Sequence, residues 1–174
     1  MKEEVIKYYA GIGSRETPPG IEPLIEELSG FLPRFGYVLR SGGAPGADSM
    51  FDKHCKGDKE IYLPWKGFNE NDSSLYLDNM DPEIVSRAHE IARKYHPSWN
   101  NLSHAAKKLM TRNTFQILGY DLNTPVSFVA CWTLGGKIQG GTGQALRIAK
   151  DMNIPIFNLY NKDCLYKIKL EINK

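Results

Sequence analysis

The sequence is poor in cysteine, carries little net charge and has no long apolar run, and each shortage excludes a class of protein. The three cysteines, Cys55, Cys131 and Cys164, are far apart and show no metal-ligand spacing, which predicts reduced thiols in a cytoplasmic protein. A net charge of +2 predicts no strong overall attraction to nucleic acid or membranes, although a local basic patch remains compatible with it. The polar beginning of the chain indicates no signal peptide, and no apolar run approaches membrane-spanning length.

Familiar catalytic and cofactor-binding motifs are also missing. The sequence has neither a Gly-x-Gly-x-x-Gly pattern followed by an acid nor a P-loop ending in Gly-Lys-Ser/Thr. It has no Gly-x-Ser-x-Gly elbow and no evident Cys–His pair. Its histidines, His54, His89, His96 and His104, are scattered. We therefore expect no metal site, and NAD-type hydride transfer and ordinary ATPase chemistry are poorly supported.

The chain instead alternates short apolar strands with amphipathic helices. Its 174 residues, 41% of them apolar, suit one domain with its own core. Predicted strands cover residues 7–12, 37–40, 59–64, 126–131 and 153–159. Predicted helices cover about 17–34, 46–56, 82–96, 98–118 and 140–152. This alternation predicts an α/β, Rossmann-like, doubly wound and mostly parallel sheet with helices on both faces.

Two regions are less clear. The tail, residues 163–174, is compatible with an extra strand or a short helix. Residues 65–81 are polar and rich in turn-forming residues, which indicates a functional or mobile loop. We expect one domain over residues 1–174, with a helical, insertion-like segment at about 65–118.

Three glycine-rich loops follow predicted strands. They are Gly13-Ser14-Arg15, the stretch from Ser41 to Asp48, and the segment from Trp132 to Gly143, which ends in Gly140-Gly141-Thr142-Gly143 and opens a helix. Glycines let the backbone approach an anion, and the N–H groups of a first helical turn point at it. Because ligands of such sheets bind at the carboxyl ends of the strands, the loops should meet at one phosphate-binding pocket.

Individual side chains allow more than one reading. Arg15 either grips a phosphate or is a solvated surface arginine. Asp48 either binds a ribose, accepts hydrogen bonds from a neighbouring loop, or favours the positive end of a helix. Arg112 and Asn113 lie on an apolar helical face and need partners. Trp132, followed by Thr133, either stacks on a nucleobase or belongs to the core.

Taken in order, these motifs resemble the SLOG superfamily, the Rossmann-like group that includes DprA/Smf, the Lonely Guy phosphoribohydrolases and small DprA-like proteins of bacteria and phages. The resemblance spans residues 8–159 and implies a nucleotide pocket and frequent homo-oligomers. The expected ligand-binding residues are Gly13, Ser14, Arg15, Ser41, Gly42, Gly43, Ala44, Asp48, Arg112, Asn113, Trp132, Thr133, Gly140, Gly141, Thr142, Gly143 and Gln144. In the Lonely Guy enzymes catalytic glutamates follow the last loop, whereas this chain has Gln144 and Ala145 there.

The leading hypothesis is a protein that senses, sequesters or processes a phosphorylated nucleotide, with no certain cofactor. One alternative is a single-stranded DNA-binding recombination mediator like DprA. Lys94, Lys107, Lys108 and Arg112, with Trp99, either form a strand-binding patch on the 82–118 helices or belong to an ordinary solvated helix face. Another is a hydrolase of nucleotide N-glycosidic bonds, in which Asp48 or Glu16 would replace the missing glutamates. Catalytic residues are unknown. The expected partners are a nucleotide, alternatively single-stranded DNA, and a second copy of the chain, but no membrane.

Overall fold

The computed structural model describes residues 3–174, so Met1 and Lys2 at the polar beginning of the chain lie outside the described residues. One sheet of five strands, all paired in parallel, forms its centre. The strands are β1 Lys7–Gly13, β2 Tyr37–Ser41, β3 Lys59–Ile61, β4 Phe128–Trp132 and β5 Ile156–Asn158. Their order is β3-β2-β1-β4-β5. The predicted doubly wound parallel sheet is confirmed.

The central strand β1 lies between β2 and β4. Tyr9 is in register with Leu39 of β2 on one side and with Phe128 of β4 on the other. The chain moves outward from β1 to β3 and then returns to the other side of β1 for β4 and β5. The strand order therefore reverses between β1 and β4, which is where open α/β sheets bind their ligands.

In the described part of the chain, six α-helices cover both faces of the sheet. They are α1 Glu22–Phe31, α2 Ala47–His54, α3 Pro82–Lys94, α4 His104–Leu118, α5 Gly140–Asp151 and α6 Cys164–Ile172. On one face, α1, α2 and α6 share a core in which Phe51 and Ile168 are fully buried. On the other face, Ile117 of α4 and Ile148 of α5 are buried, and α3 packs along α4. Because both faces are covered, the central strands are almost continuously apolar.

Side-chain caps set the beginning of two helices. The carboxylate of Asp81 accepts two backbone N–H groups of the first turn of α3, at the predicted position. The Ser103 hydroxyl accepts from the N–H of Ala106 at 3.1 Å. The helix predicted from residue 98 therefore begins later, and a separate 3₁₀ turn, Trp99–Asn101, precedes it.

The helix predicted after Thr17 also begins later than expected. The Thr17 hydroxyl donates to the carbonyl of Ser14 at 2.6 Å and caps no helix. A 3₁₀ turn, Pro19–Ile21, comes first, and α1 starts at Glu22.

The two unclear regions are resolved by burial. In the tail, Ile168 is fully buried whereas Tyr166 and Leu170 are exposed, so the apolar alternation there belongs to a helix, α6. In the 65–81 loop, Phe68 is buried and the Asn69 amide donates to the carbonyl of Gly43 at 2.9 Å. This loop is therefore packed against the loop after β2.

Two expectations from the sequence concern the state of the cysteines and the length of the apolar segments. The three cysteines are free thiols, and Cys131 and Cys164 are buried. Among the helices of residues 3–174, none combines the length and the apolar character needed to cross a membrane.

Candidate functional site

A cleft of about 360 Å³ opens at the carboxyl edge of the sheet, where the strand order reverses. This volume is within the range of small-molecule sites. The cleft is lined by the loop after β1, the loop after β2 with the start of α2, the middle of α4, and the segment that leads from the end of β4 into the first turn of α5. The expected site residues among its lining are Gly13, Ser14, Arg15, Ala44, Asp48, Arg112, Asn113, Thr133, Gly140, Gly141 and Thr142. The fold thus brings the three glycine-rich loops together.

The loop after β1 is anchored at its base and open at its tip. The N–H of Ser14 donates to the carbonyl of Trp132 at 3.0 Å, and the carbonyl of Ser14 accepts from the N–H of Ala47 at 3.2 Å. Arg15 is exposed at the rim, and its guanidinium lies 5.8 Å from the centre of the Phe68 ring. Within residues 3–174 Arg15 forms no salt bridge, so its charge is available to an anion in the cleft.

The loop after β2 supports the cleft more than it lines it. The Ser41 hydroxyl donates to the carbonyl of Gly11 at 2.6 Å and is fully buried, so it does not face a ligand. The carbonyl of Gly42 accepts from Arg112, and that of Gly43 accepts from Asn69. Contrary to the sequence-based expectation, Ser41, Gly42 and Gly43 lie outside the lining.

Asp48 joins the loops after β1 and β2. It is 4% exposed, and its carboxylate accepts the N–H groups of Gly13 at 3.2 Å and Ala44 at 3.4 Å. Of the three readings of Asp48, the structure shows the hydrogen bonds to neighbouring loops. Burial raises the pKa of Asp48 to about 6, although the nearby charge of Arg112 and the backbone N–H donors favour the carboxylate.

We expect Asp48→Asn to remove one component of the pH dependence of stability. With a pKa raised from 3.8 to about 6, Asp48 binds its proton more tightly in the folded state. This tighter proton binding adds up to about 3 kcal/mol to the free energy of unfolding. The contribution is complete below about pH 4 and is lost as the pH rises through 6. Urea unfolding of both proteins between about pH 4 and pH 8 measures the difference. Parallel profiles would contradict the raised pKa.

Arg112 and Asn113 hold α4 to the other segments. Arg112 is 4% exposed, donates to the carbonyls of Gly42 and Tyr62, and donates through Nε to Oδ1 of Asn113 at 3.0 Å. The Asn113 amide donates to the carbonyl of Gly141 at 3.0 Å. Burial lowers the pKa of Arg112 to about 10, so its guanidinium is still charged at neutral pH. The cleft therefore has a cation at its base as well as at its rim.

The turn that begins α5 presents the positive end of a helix to the cleft. The side chain of Gln139, the N-cap residue, makes no capping hydrogen bond within residues 3–174, and the first turn contains no acidic residue. The first helical hydrogen bond is donated by the N–H of Gly143 to the carbonyl of Gln139 at 2.9 Å. The preceding N–H groups of Gly140, Gly141 and Thr142 lie at an uncapped terminus, which favours an anion.

Three expected residues near this turn lie outside the lining. Trp132 is 5% exposed and packs 6.4 Å from the Tyr160 ring, so it belongs to the core and is not a stacking platform. Gly143 is buried in α5. Gln144 is fully buried, and its amide donates to the carbonyl of Ala92 at 3.5 Å.

The lining also includes further residues. These residues, none of which was among the expected ligand-binding residues, are Ile12, Glu16, Leu109, Met110, Gln116, Leu134 and Gln139. Leu109 and Gln116 stand three residues before and four after Arg112, which places them on the same helical face. That spacing was a usable signal.

The predicted basic patch for single-stranded DNA is only partly present. Lys94 is exposed, and Lys107 and Lys108 are half-buried on α4. Trp99 is 8% exposed and Arg112 lies at the base of the cleft, so neither belongs to an outer stacking surface. In the part of the chain that the structure describes, no group of three or more His, Cys, Asp or Glu residues is arranged to hold a metal ion.

Comparison with known proteins supports the architecture. No protein-family model matches the sequence, and no curated protein matches it. The structure is similar to that of DNA processing protein A from Helicobacter pylori, studied for its unique single-stranded DNA binding mode, with a TM-score of 0.50 and 14% sequence identity. The similarity covers 87% of this chain but only 64% of that one. The chain thus has a Rossmann-like α/β fold of the kind seen in DNA processing protein A.

Proposed function

We propose that this protein binds a nucleotide in the cleft and holds its phosphate at the amino terminus of α5. The observation that carries the proposal is the uncapped, acid-free first turn of this helix, which lines the cleft together with Arg15. Backbone N–H groups and the helix dipole there favour a negative group, and the guanidinium adds a paired hydrogen-bond donor.

Two further features support binding in preference to hydrolysis. Gln144 stands where the Lonely Guy phosphoribohydrolases, which the sequence resembles, carry a catalytic glutamate. It is buried outside the cleft. The carboxylate of Asp48 is buried and already accepts two backbone N–H groups, so it is poorly placed to activate water. Glu16 is the exposed carboxylate of the lining and is the one that a hydrolase would use. Chromatography of the nucleotide after incubation checks this point, because a hydrolase releases free base.

We expect Thr142→Asp to reduce the affinity for AMP at least about tenfold without destabilising the protein. The new carboxylate would lie in the first turn of α5 and repel a phosphate there. The same charge interacts favourably with the helix dipole, by about 0.3–1 kcal/mol. Calorimetric titration with AMP and thermal unfolding measure the two effects.

His104→Asp is the matched control for this experiment. His104 is the exposed first residue of α4, outside the cleft lining, so the substitution also adds a negative charge to a first helical turn. We expect AMP to bind His104→Asp as it binds the wild-type protein. An affinity within about twofold of wild type in Thr142→Asp would show that the phosphate is held elsewhere.

Single-stranded DNA is the second candidate ligand, and the similarity to DNA processing protein A favours it. The same phosphate site would then hold one phosphodiester of the strand. Lys107 and Lys108 directly precede Leu109 and Met110, which line the cleft. Titration with short oligo-dT distinguishes the candidates. Strand binding falls steeply with salt concentration and is weakened by Lys107→Glu/Lys108→Glu, whereas AMP binding survives both changes.

A further inference from the structure

Gln116 is a buried amide that faces the cleft. It lies on α4 one turn beyond Arg112, is 2% exposed and lines the cleft. The hydrogen bonds on this face of α4 are made by Arg112 and Asn113, and none of them involves the Gln116 carboxamide. Within residues 3–174 that carboxamide has no hydrogen-bond partner. Buried amides are normally paired, and the cleft is the open side from which a partner can reach this one.

Asn113 shows what a structural amide looks like at the same place. It accepts from Nε of Arg112 and donates to the carbonyl of Gly141, each at 3.0 Å. Asn113 therefore serves to join α4 to α5. Within residues 3–174, Gln116, three residues further on the same helical face, makes no such hydrogen bond between two elements.

The backbone after β2 closes tightly around this amide. A Cβ atom added to Gly42 would lie 1.9 Å from Nε2 of Gln116 and 2.6 Å from Nη1 of Arg112. Both side chains can occupy their positions only because residue 42 has no side chain. The Gln116 amide is thus held in place on one side and open to the cleft on the other.

The surroundings of Gln116 suit a nucleobase better than a sugar. The apolar side chains of Ile12, Leu109 and Met110 line the same cleft and can cover the faces of a planar ring. A ribose is typically held by a carboxylate, and Glu16 is the exposed carboxylate of the lining, so a ribose does not need the Gln116 amide. An amide offers one donor and one acceptor side by side, which matches the edge of a base.

We propose that Gln116 recognises the base of the bound nucleotide through an edge that carries adjacent donor and acceptor groups. The amide N–H donates to a ring nitrogen or carbonyl of the base, and the amide oxygen accepts from an exocyclic amino group or a ring N–H. This proposal rests on the proposed function, because the phosphate at α5 positions the base.

The test compares three probes by calorimetric titration: AMP, purine riboside 5′-monophosphate, which lacks only the exocyclic amino group, and ribose 5-phosphate, which lacks the base. We expect the wild-type protein to prefer AMP to either of the others by roughly tenfold to a hundredfold. Gln116→Met should remove that preference and leave the affinity for ribose 5-phosphate unchanged. Gln144→Met, at a glutamine equally buried but outside the lining, should retain the preference.

The outcomes separate this inference from the proposed function. If ribose 5-phosphate binds but AMP binds no better, or if Gln116→Met retains the preference, then Gln116 does not recognise the base and the phosphate site stands. If none of the probes binds, both proposals are overturned. Should Gln116→Met fail to fold, equal affinities of the wild-type protein for AMP and purine riboside 5′-monophosphate overturn this inference. For single-stranded DNA as the ligand, short oligo-dA takes the place of AMP and an abasic strand takes the place of ribose 5-phosphate.

Discussion

Replacing Arg112 with methionine should cost the protein about 3–5 kcal/mol of stability at neutral pH. The substitution keeps most of the buried volume but removes the donor to the carbonyls of Gly42 and Tyr62. It also removes the cation that favours the carboxylate of Asp48, which is itself buried. A buried charge and buried carbonyls that lose their partners are among the few causes of so large a loss. Urea unfolding measures it.

Arg93→Met is the control for this prediction. Arg93 is exposed and pairs with Glu90 three residues earlier on α3, at 2.8 Å. Exposed ion pairs contribute little, so the loss should stay below about 1 kcal/mol. Similar small losses in both variants would show that Arg112 is not what joins α4 to the loop after β2.

We expect Gly46→Ala to destabilise the protein by about 3 kcal/mol or more. Gly46 has φ of 85° and ψ of −130°, which residues with a side chain avoid. A Cβ atom there would lie 2.3 Å from the carbonyl oxygen of Ser14, and this carbonyl accepts from the N–H of Ala47. The loops after β1 and β2 would have to separate, so nucleotide affinity should fall as well.

Gly36→Ala separates backbone strain from this close approach. Gly36 also has a positive φ, 81°, but within residues 3–174 no atom beyond its chain neighbours lies within 4 Å of the position of an added Cβ. Only the left-handed backbone conformation is penalised there, at about 1–2 kcal/mol. Thermal and urea unfolding of both variants give the comparison. Equal losses would mean that the contact between Gly46 and Ser14 is not tight.

The local pattern was sufficient for most of the fold and insufficient where packing decides. Asp81 followed by proline predicts the beginning of α3, since the cap and its N–H partners are neighbours in sequence. Thr17 followed by prolines carries the same local signal, yet its hydroxyl bonds Ser14 and the helix begins later. In the tail, apolar residues at alternate positions resemble a strand. The contact of Ile168 with the core makes it a helix.

The candidate site shows the same division. Glycine-rich loops after parallel strands predict convergence, because the carboxyl ends of such strands meet at one edge. The sequence does not tell which residues of a loop face the ligand. The Ser41 hydroxyl donates to the carbonyl of Gly11, thirty positions away, and Ser41 therefore does not line the cleft. The spacing of Gln116 to Arg112 indicates a residue of the same helical face, but it does not reveal that the Gln116 carboxamide has no hydrogen-bond partner among the described residues.

The sequence by itself therefore determined the α/β class, the parallel sheet and the edge where the loops meet, because these depend on hydrophobic periodicity and glycine position along short stretches. Only the tertiary structure decided that Trp132 belongs to the core and that Asp48 joins two loops. It also decided that Gln116 lines the cleft and that its carboxamide has no hydrogen-bond partner among residues 3–174. Burial and hydrogen-bond pairing depend on residues distant in the chain, and these are brought together only when the helices pack on the sheet.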